Sequence, residues 1–95
     1  MDEANDNSVD RDPAVRRRRL VFRAGHRGTR EMDLLLTRFL DKELDGFDEA
    51  EMTVFEAMLN IPDQEFYDIL VKGAPIPPGF DTALMHRLIA SVRKP

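Results

Sequence analysis

The side chains in this sequence that could do chemistry are few, and their spacing argues against catalysis. Two histidines, His26 and His86, fall in different helical segments, and neither has a second imidazole at metal-ligand spacing. A lone histidine of this kind is ordinarily a surface or core-edge residue. The glycines are isolated, so no loop can cradle a nucleotide phosphate. Acid pairs such as Asp48-Glu49 sit where a helix begins, a place that favours carboxylates for their own sake. The chain has no cysteine, which excludes a disulfide framework and a thiolate metal site and fits a reducing compartment. A chain of 95 residues also has little material from which to build an enzyme's pocket. What remains is one concentration of polar function, "HRGTREMD" at 26–33, where a glycine and opposed charges stand at the head of an apolar run.

The charge of the molecule is polarised. Residues 11–30 hold eight arginines against one acid, Asp12, whereas residues 31–68 hold twelve acids against two basic residues, Arg38 and Lys42. Such asymmetry implies either a basic helix paired internally with an acidic body or a surface that docks a partner. The run Arg16 to Arg19 raises a nucleic-acid reading, a small helical regulator neutralising phosphates. Four consecutive residues point around the whole helix, however, and no glutamine or asparagine follows in the same helix to read bases. A solvated or partner-facing helix is the better expectation, and a helical adaptor for an unrelated client is a third.

The elements that must position these groups are helical throughout. "MDEANDNSVDRD" (1–12) is acidic and aperiodic, and is expected to be a disordered tail ahead of one five-helix domain over 13–95. It fits neither a mitochondrial nor a secretory leader, which points to a bacterial cytoplasmic protein. Asp12-Pro13 is a cap and first-turn pair for a helix whose apolar stripe is expected at Ala14, Val15, Val21 and Phe22. The next helix places Met32, Leu35, Leu36, Phe39 and Leu40 on one face until Asp45-Gly46 stops it. Asp48 and Glu51 have capping-box spacing ahead of an apolar arc of Met52, Val54, Phe55, Met58 and Leu59. A fourth helix runs from Pro62 to Gly73, and a fifth, expected to be capped by Asp81, buries Leu84, Met85, Leu88 and Val92. No alternating strand pattern occurs, and no apolar run approaches the roughly 18 to 20 residues of a membrane span. The expected fold is all-α, a compact single-domain bundle of five short helices.

Within that frame the glycine at position 28 divides two helices, and a residue without a side chain permits a tight bend or a close approach. Glu31 falls in the first turn of the following helix, where free N–H groups favour an anion. Glu31, Leu34 and Arg38 share the face opposite the apolar stripe. An exposed leucine among charges, with Arg27 and Arg30 just upstream, has the form of an interface anchor with a polar rim.

"RGTREMD" resembles the Arg-Gly-x-x-Glu signature of the FAD assembly factors of succinate dehydrogenase, the SdhE-type flavinylation factors. Arg27, Gly28 and Glu31 match the signature and Asp33 the acid that commonly follows it; "LLLTRFLD", the acidic third helix start and "PDQEFYDIL" are similar too, so the likeness covers about residues 15–93. It implies a five-helix bundle without enzymatic activity that binds the flavoprotein subunit of succinate dehydrogenase and, in bacteria, that of fumarate reductase. It implies promotion of covalent FAD attachment to a client histidine before the iron–sulfur subunit docks. The client-binding residues so expected are Arg27, Gly28, Arg30, Glu31, Asp33, Leu34 and Arg38. FAD would belong to the client with none held tightly here, no nucleic acid or membrane insertion is expected, and a transient client argues for a monomer. The chain departs from related sequences at Gly25, where they often carry a bulkier residue.

Overall fold

The computed structural model describes residues 12–93, so the expectation for 1–12 lies outside the described residues except at Asp12. Among the described residues five α-helices follow one another: α1 Pro13–Ala24, α2 Arg30–Glu43, α3 Glu49–Met58, α4 Asp63–Lys72 and α5 Ala83–Arg93, with one 3-10 turn, Leu44–Gly46, after α2. Among the described residues there is no strand, and no helix is long and apolar enough to cross a membrane. The all-α, five-helix bundle is the fold.

Each helix begins where local chemistry starts it. The Asp12 carboxylate accepts from the Ala14 N–H at 3.0 Å with Pro13 in the first turn. Asp48 and Glu51 form a reciprocal capping box, 2.8 and 3.1 Å. Pro62 leads into α4, and Gly73 closes it in the left-handed region at φ 74°. α5 differs from expectation: Thr82, not Asp81, caps it, its Oγ1 accepting from the Met85 N–H at 3.1 Å. Asp81 lies one residue too early for that role, and its carboxylate meets His86 Nε2 at 2.6 Å instead.

The core joins α2, α3 and α5 around Phe39, Phe47 and Phe55, whose ring centroids lie 5.8 to 6.4 Å apart. α4 packs on α5, and α1 lies across α2 and α3. Among the described residues no polar or charged residue is fully buried. Leu35, Val54 and Val92 are half-buried at the core's edge.

The apolar face of α1 is not the one its sequence pattern suggests. Leu20 and Ala24 are buried, whereas Ala14, Val21 and Phe22 are exposed and Val15 is intermediate. The inward side is completed by arginine stems. Arg16 pairs with Glu56 at 2.9 Å and reaches Thr53, and Arg17 donates to the Phe47 carbonyl. Long aliphatic stems cover apolar surface while their heads find carboxylates and carbonyls, so a helix can bury a face that reads as charged. The Glu56 hydrogen bond also raises the Arg16 pKa further above its ordinary value.

A second ion-pair network ties α5 to α2 and α3, with Arg87 holding Glu43 at 2.8 Å and Glu51 at 2.7 Å. The Arg87 hydrogen bond, followed by the Asp48 N–H, lowers the Glu51 pKa. A depressed carboxylate stabilises the fold above its unfolded pKa and loses that contribution as pH falls through its folded value. Glu51→Gln is therefore expected to lower Tm near neutral pH and to leave it nearly unchanged in strong acid. A Tm difference independent of pH would contradict this assignment.

Candidate functional site

The stretch 26–33 forms the corner between α1 and α2. Gly25 ends α1 with its N–H bonded back to Val21 O at 3.0 Å. His26 lies just past the helix rather than within it. Gly28 has φ 106°, a conformation L side chains rarely adopt, and open space where a Cβ would point. The turn's geometry thus requires glycine, and the open space leaves its backbone approachable. Thr29 then stands at the N-cap of α2, though its side chain makes no capping hydrogen bond.

The seven residues expected to bind a client divide into two groups. Arg27 is turned inward, its side chain only 10% exposed. Its guanidinium pairs with Asp63, donates to the Leu59 carbonyl at 2.7 Å and to the Ile61 carbonyl, and lies over the Phe66 ring at 5.5 Å. Its backbone N–H donates to the Asp33 carboxylate at 3.0 Å. Arg27 therefore locks the α1–α2 corner onto the α3–α4 junction, and Asp33 fixes the corner itself. Five guanidinium N–H groups in a fixed fork suit such a joint, which satisfies helix-end carbonyls and a carboxylate at once.

The other group faces water. Gly28, Arg30, Glu31, Leu34 and Arg38 are all exposed, Leu34 at 47%. The expected sharing of one α2 face by Glu31, Leu34 and Arg38 agrees with these exposures. The Glu31 side chain has no hydrogen bond or ion pair among the described residues, and it lines a depression of about 230 Å³ with Thr29, Met32, Asp63, Gln64 and Tyr67. Tyr67 and Gln64, from α4, were not legible as parts of this site, because long-range contacts of Arg27 and Thr29 with Asp63 and of Arg27 with Phe66 bring α4 alongside the signature.

Among the described residues no group of His, Cys, Asp and Glu could hold a metal ion. The Arg16–Arg19 run is not one free basic patch, since Arg16 and Arg17 are committed to Glu56, Thr53 and the Phe47 carbonyl. Arg16 is thus paired with the acidic body through Glu56, and Arg17 is held by a backbone carbonyl.

With this geometry in hand, comparison with known proteins is specific. The sequence family described as flavinator of succinate dehydrogenase matches residues 18–92. The FAD assembly factor SdhE of Acetobacter pasteurianus is 40% identical over 80 residues, covering 84% of this chain and 73% of the relative. Mitochondrial succinate dehydrogenase assembly factor 2 of Mycosarcoma maydis is 40% identical over 81 residues, and that of Drosophila virilis 35% over 86. The matches span 34% and 54% of those two longer relatives. No solved structure matches the chain. A signature arginine spent on the fold, a glycine at positive φ and a carboxylate left in water thus sit on a chain whose matched segment contains them all, and the chain belongs to the family of succinate dehydrogenase flavinators.

Proposed function

We propose that this chain is a non-catalytic assembly factor that binds the flavoprotein subunit of succinate dehydrogenase and promotes covalent attachment of FAD to one of its histidines. The observation that carries this reading is the exposed Glu31 carboxylate, without a partner among the described residues, three positions after the approachable Gly28 backbone on a corner held by Arg27. A fixed, unpaired charge on a surface recognises a partner without first paying to break an internal contact. Arg30, Leu34 and Arg38 complete the contact, while Arg27 and Asp33 act from within by setting its shape.

The bond to FAD forms in the client, and FAD stays with the client. A small partner that binds only the attachment-competent arrangement raises its population, by no more than its differential affinity for that arrangement. Holding two reacting groups in attack geometry removes several kcal/mol of barrier where geometry limits the rate. The same surface would serve the flavoprotein of fumarate reductase, with the assembly factor acting as a monomer. The setting this reading assigns is the bacterial cytoplasm, in keeping with the Acetobacter relative and a cysteine-free chain.

The test is the covalent flavin fluorescence of the denatured flavoprotein, produced with and without this chain. Fluorescence is expected to rise several-fold in its presence. Equal labelling in both samples would remove the proposal.

A further inference from the structure

Of the four large apolar side chains exposed among the described residues, three (Val21, Phe22 and Leu34) belong to α1 and α2, the helices joined by the signature turn. Phe22 is the most exposed, at 61%. Its ring is nevertheless held in place. His26 stacks on it with centroids 4.0 Å apart and planes 17° from parallel. His26 Nδ1 lies 2.8 Å from the Phe22 carbonyl, which can only accept, so Nδ1 carries the proton in this contact.

This stacked pair lines a cleft of about 490 Å³ that continues past Arg27 to Leu59, Ile61 and Pro62. His26 also lines the neighbouring depression with Gly25, Gly28 and Arg30, so the platform runs into the signature surface. The charge around it that is not already paired has one sign. Exposed Arg18 stands one turn before Phe22 on the same helix face, and exposed Arg30 lines the adjoining depression. The carboxylates lining these two depressions, Asp63 and Asp33, are already taken by the Arg27 side chain and backbone N–H.

We propose that the Phe22–His26 platform is a second docking site for the flavoprotein, receiving an acidic segment that carries an apolar anchor residue. The anchor enters the cleft against Phe22, and the flanking carboxylates face Arg18 and Arg30. A pre-ordered aromatic ring within a charged rim has the form of an interface hot spot, since it loses little rotamer freedom on binding. This assignment rests on the function proposed above.

The test measures the affinity of the full chain for the isolated flavoprotein by titration calorimetry, for wild type, Phe22→Ala, Arg18→Glu and Glu31→Ala, with circular dichroism as a control. Phe22→Ala is expected to weaken binding roughly 10- to 30-fold, the range of an anchor residue. Arg18→Glu is expected to weaken it further at low salt than at high salt, as a rim charge does, and it stands in for Phe22→Ala if that variant loses helicity. Affinities of both variants within twofold of wild type, with Glu31→Ala impaired, would overturn the platform and leave the proposed function standing. Absence of any binding by wild type would instead overturn the function itself. Phe22-dependent retention of a labelled single-stranded RNA, or Phe22-dependent self-association, with flavoprotein affinity unchanged would assign the platform to another occupant and overturn the proposal.

Discussion

Replacing Arg27 with alanine is expected to remove about 3 kcal/mol of the roughly 5–15 kcal/mol that holds a domain of this size together. The guanidinium is mostly buried and serves Asp63, the Leu59 and Ile61 carbonyls and the Phe66 ring simultaneously. Truncation leaves a part-buried carboxylate without its partner and two helix-end carbonyls without their donor, each such orphan costing about 1–3 kcal/mol before water compensates. Urea unfolding should report this as a lower midpoint with little change in slope. Arg27→Lys is expected to recover only part of the loss, because one ammonium cannot span partners that the planar fork reaches together. A midpoint within error of wild type would show that the joint is dispensable. Loss of flavinylation in Arg27→Ala would accordingly follow loss of fold, and should recover at temperatures where the variant remains folded.

Glu31→Ala is expected to give the opposite pattern, with function lost and fold kept. Its carboxylate has no partner among the described residues, so its contribution to stability is confined to the favourable field of the α2 first turn, about 0.3–1 kcal/mol. Helical circular dichroism should be unchanged and the urea midpoint should move little. Stimulation of covalent flavinylation is expected to fall by about 10- to 100-fold, the cost of removing a charge that meets a desolvated partner. Substantial unfolding of Glu31→Ala would identify the residue as a helix cap and end its assignment as a client contact. Comparing the two variants separates the signature residue that shapes the surface from the one that presents chemistry on it.

Much of this architecture is legible because it depends on neighbours in the chain. Asp12-Pro13, the Asp48/Glu51 box and the Pro62–Gly73 bracket each satisfy backbone groups within six residues, so short-range spacing is sufficient to place them. The core faces of α2 and α3 are equally plain, since Met32, Leu36, Phe39 and Leu40, and then Met52, Phe55, Met58 and Leu59, recur at helical period. α1 misleads for a stated reason. Its inward side is half arginine, and stems that lie over apolar neighbours are indistinguishable in sequence from stems in water. Asp81 misleads more simply, because aspartate and threonine both cap and stand side by side before α5.

The sequence by itself determined five helices, most of their boundaries, the glycine turn and the family, all properties of residue type at short separation. Tertiary structure alone decided that Arg27 and Asp33 are engaged within the molecule, that the Glu31 carboxylate faces water, that Tyr67 joins the site and that Phe22 is left outside. The Asp33 bond is local, but the placement of Arg27 and Tyr67 hangs on contacts between the α1–α2 corner and the α3–α4 junction across more than thirty residues of chain, as in Arg27 with Asp63. Whether a charged side chain meets a partner or solvent is set by which surfaces pack together, and helical periodicity carries no information about that choice.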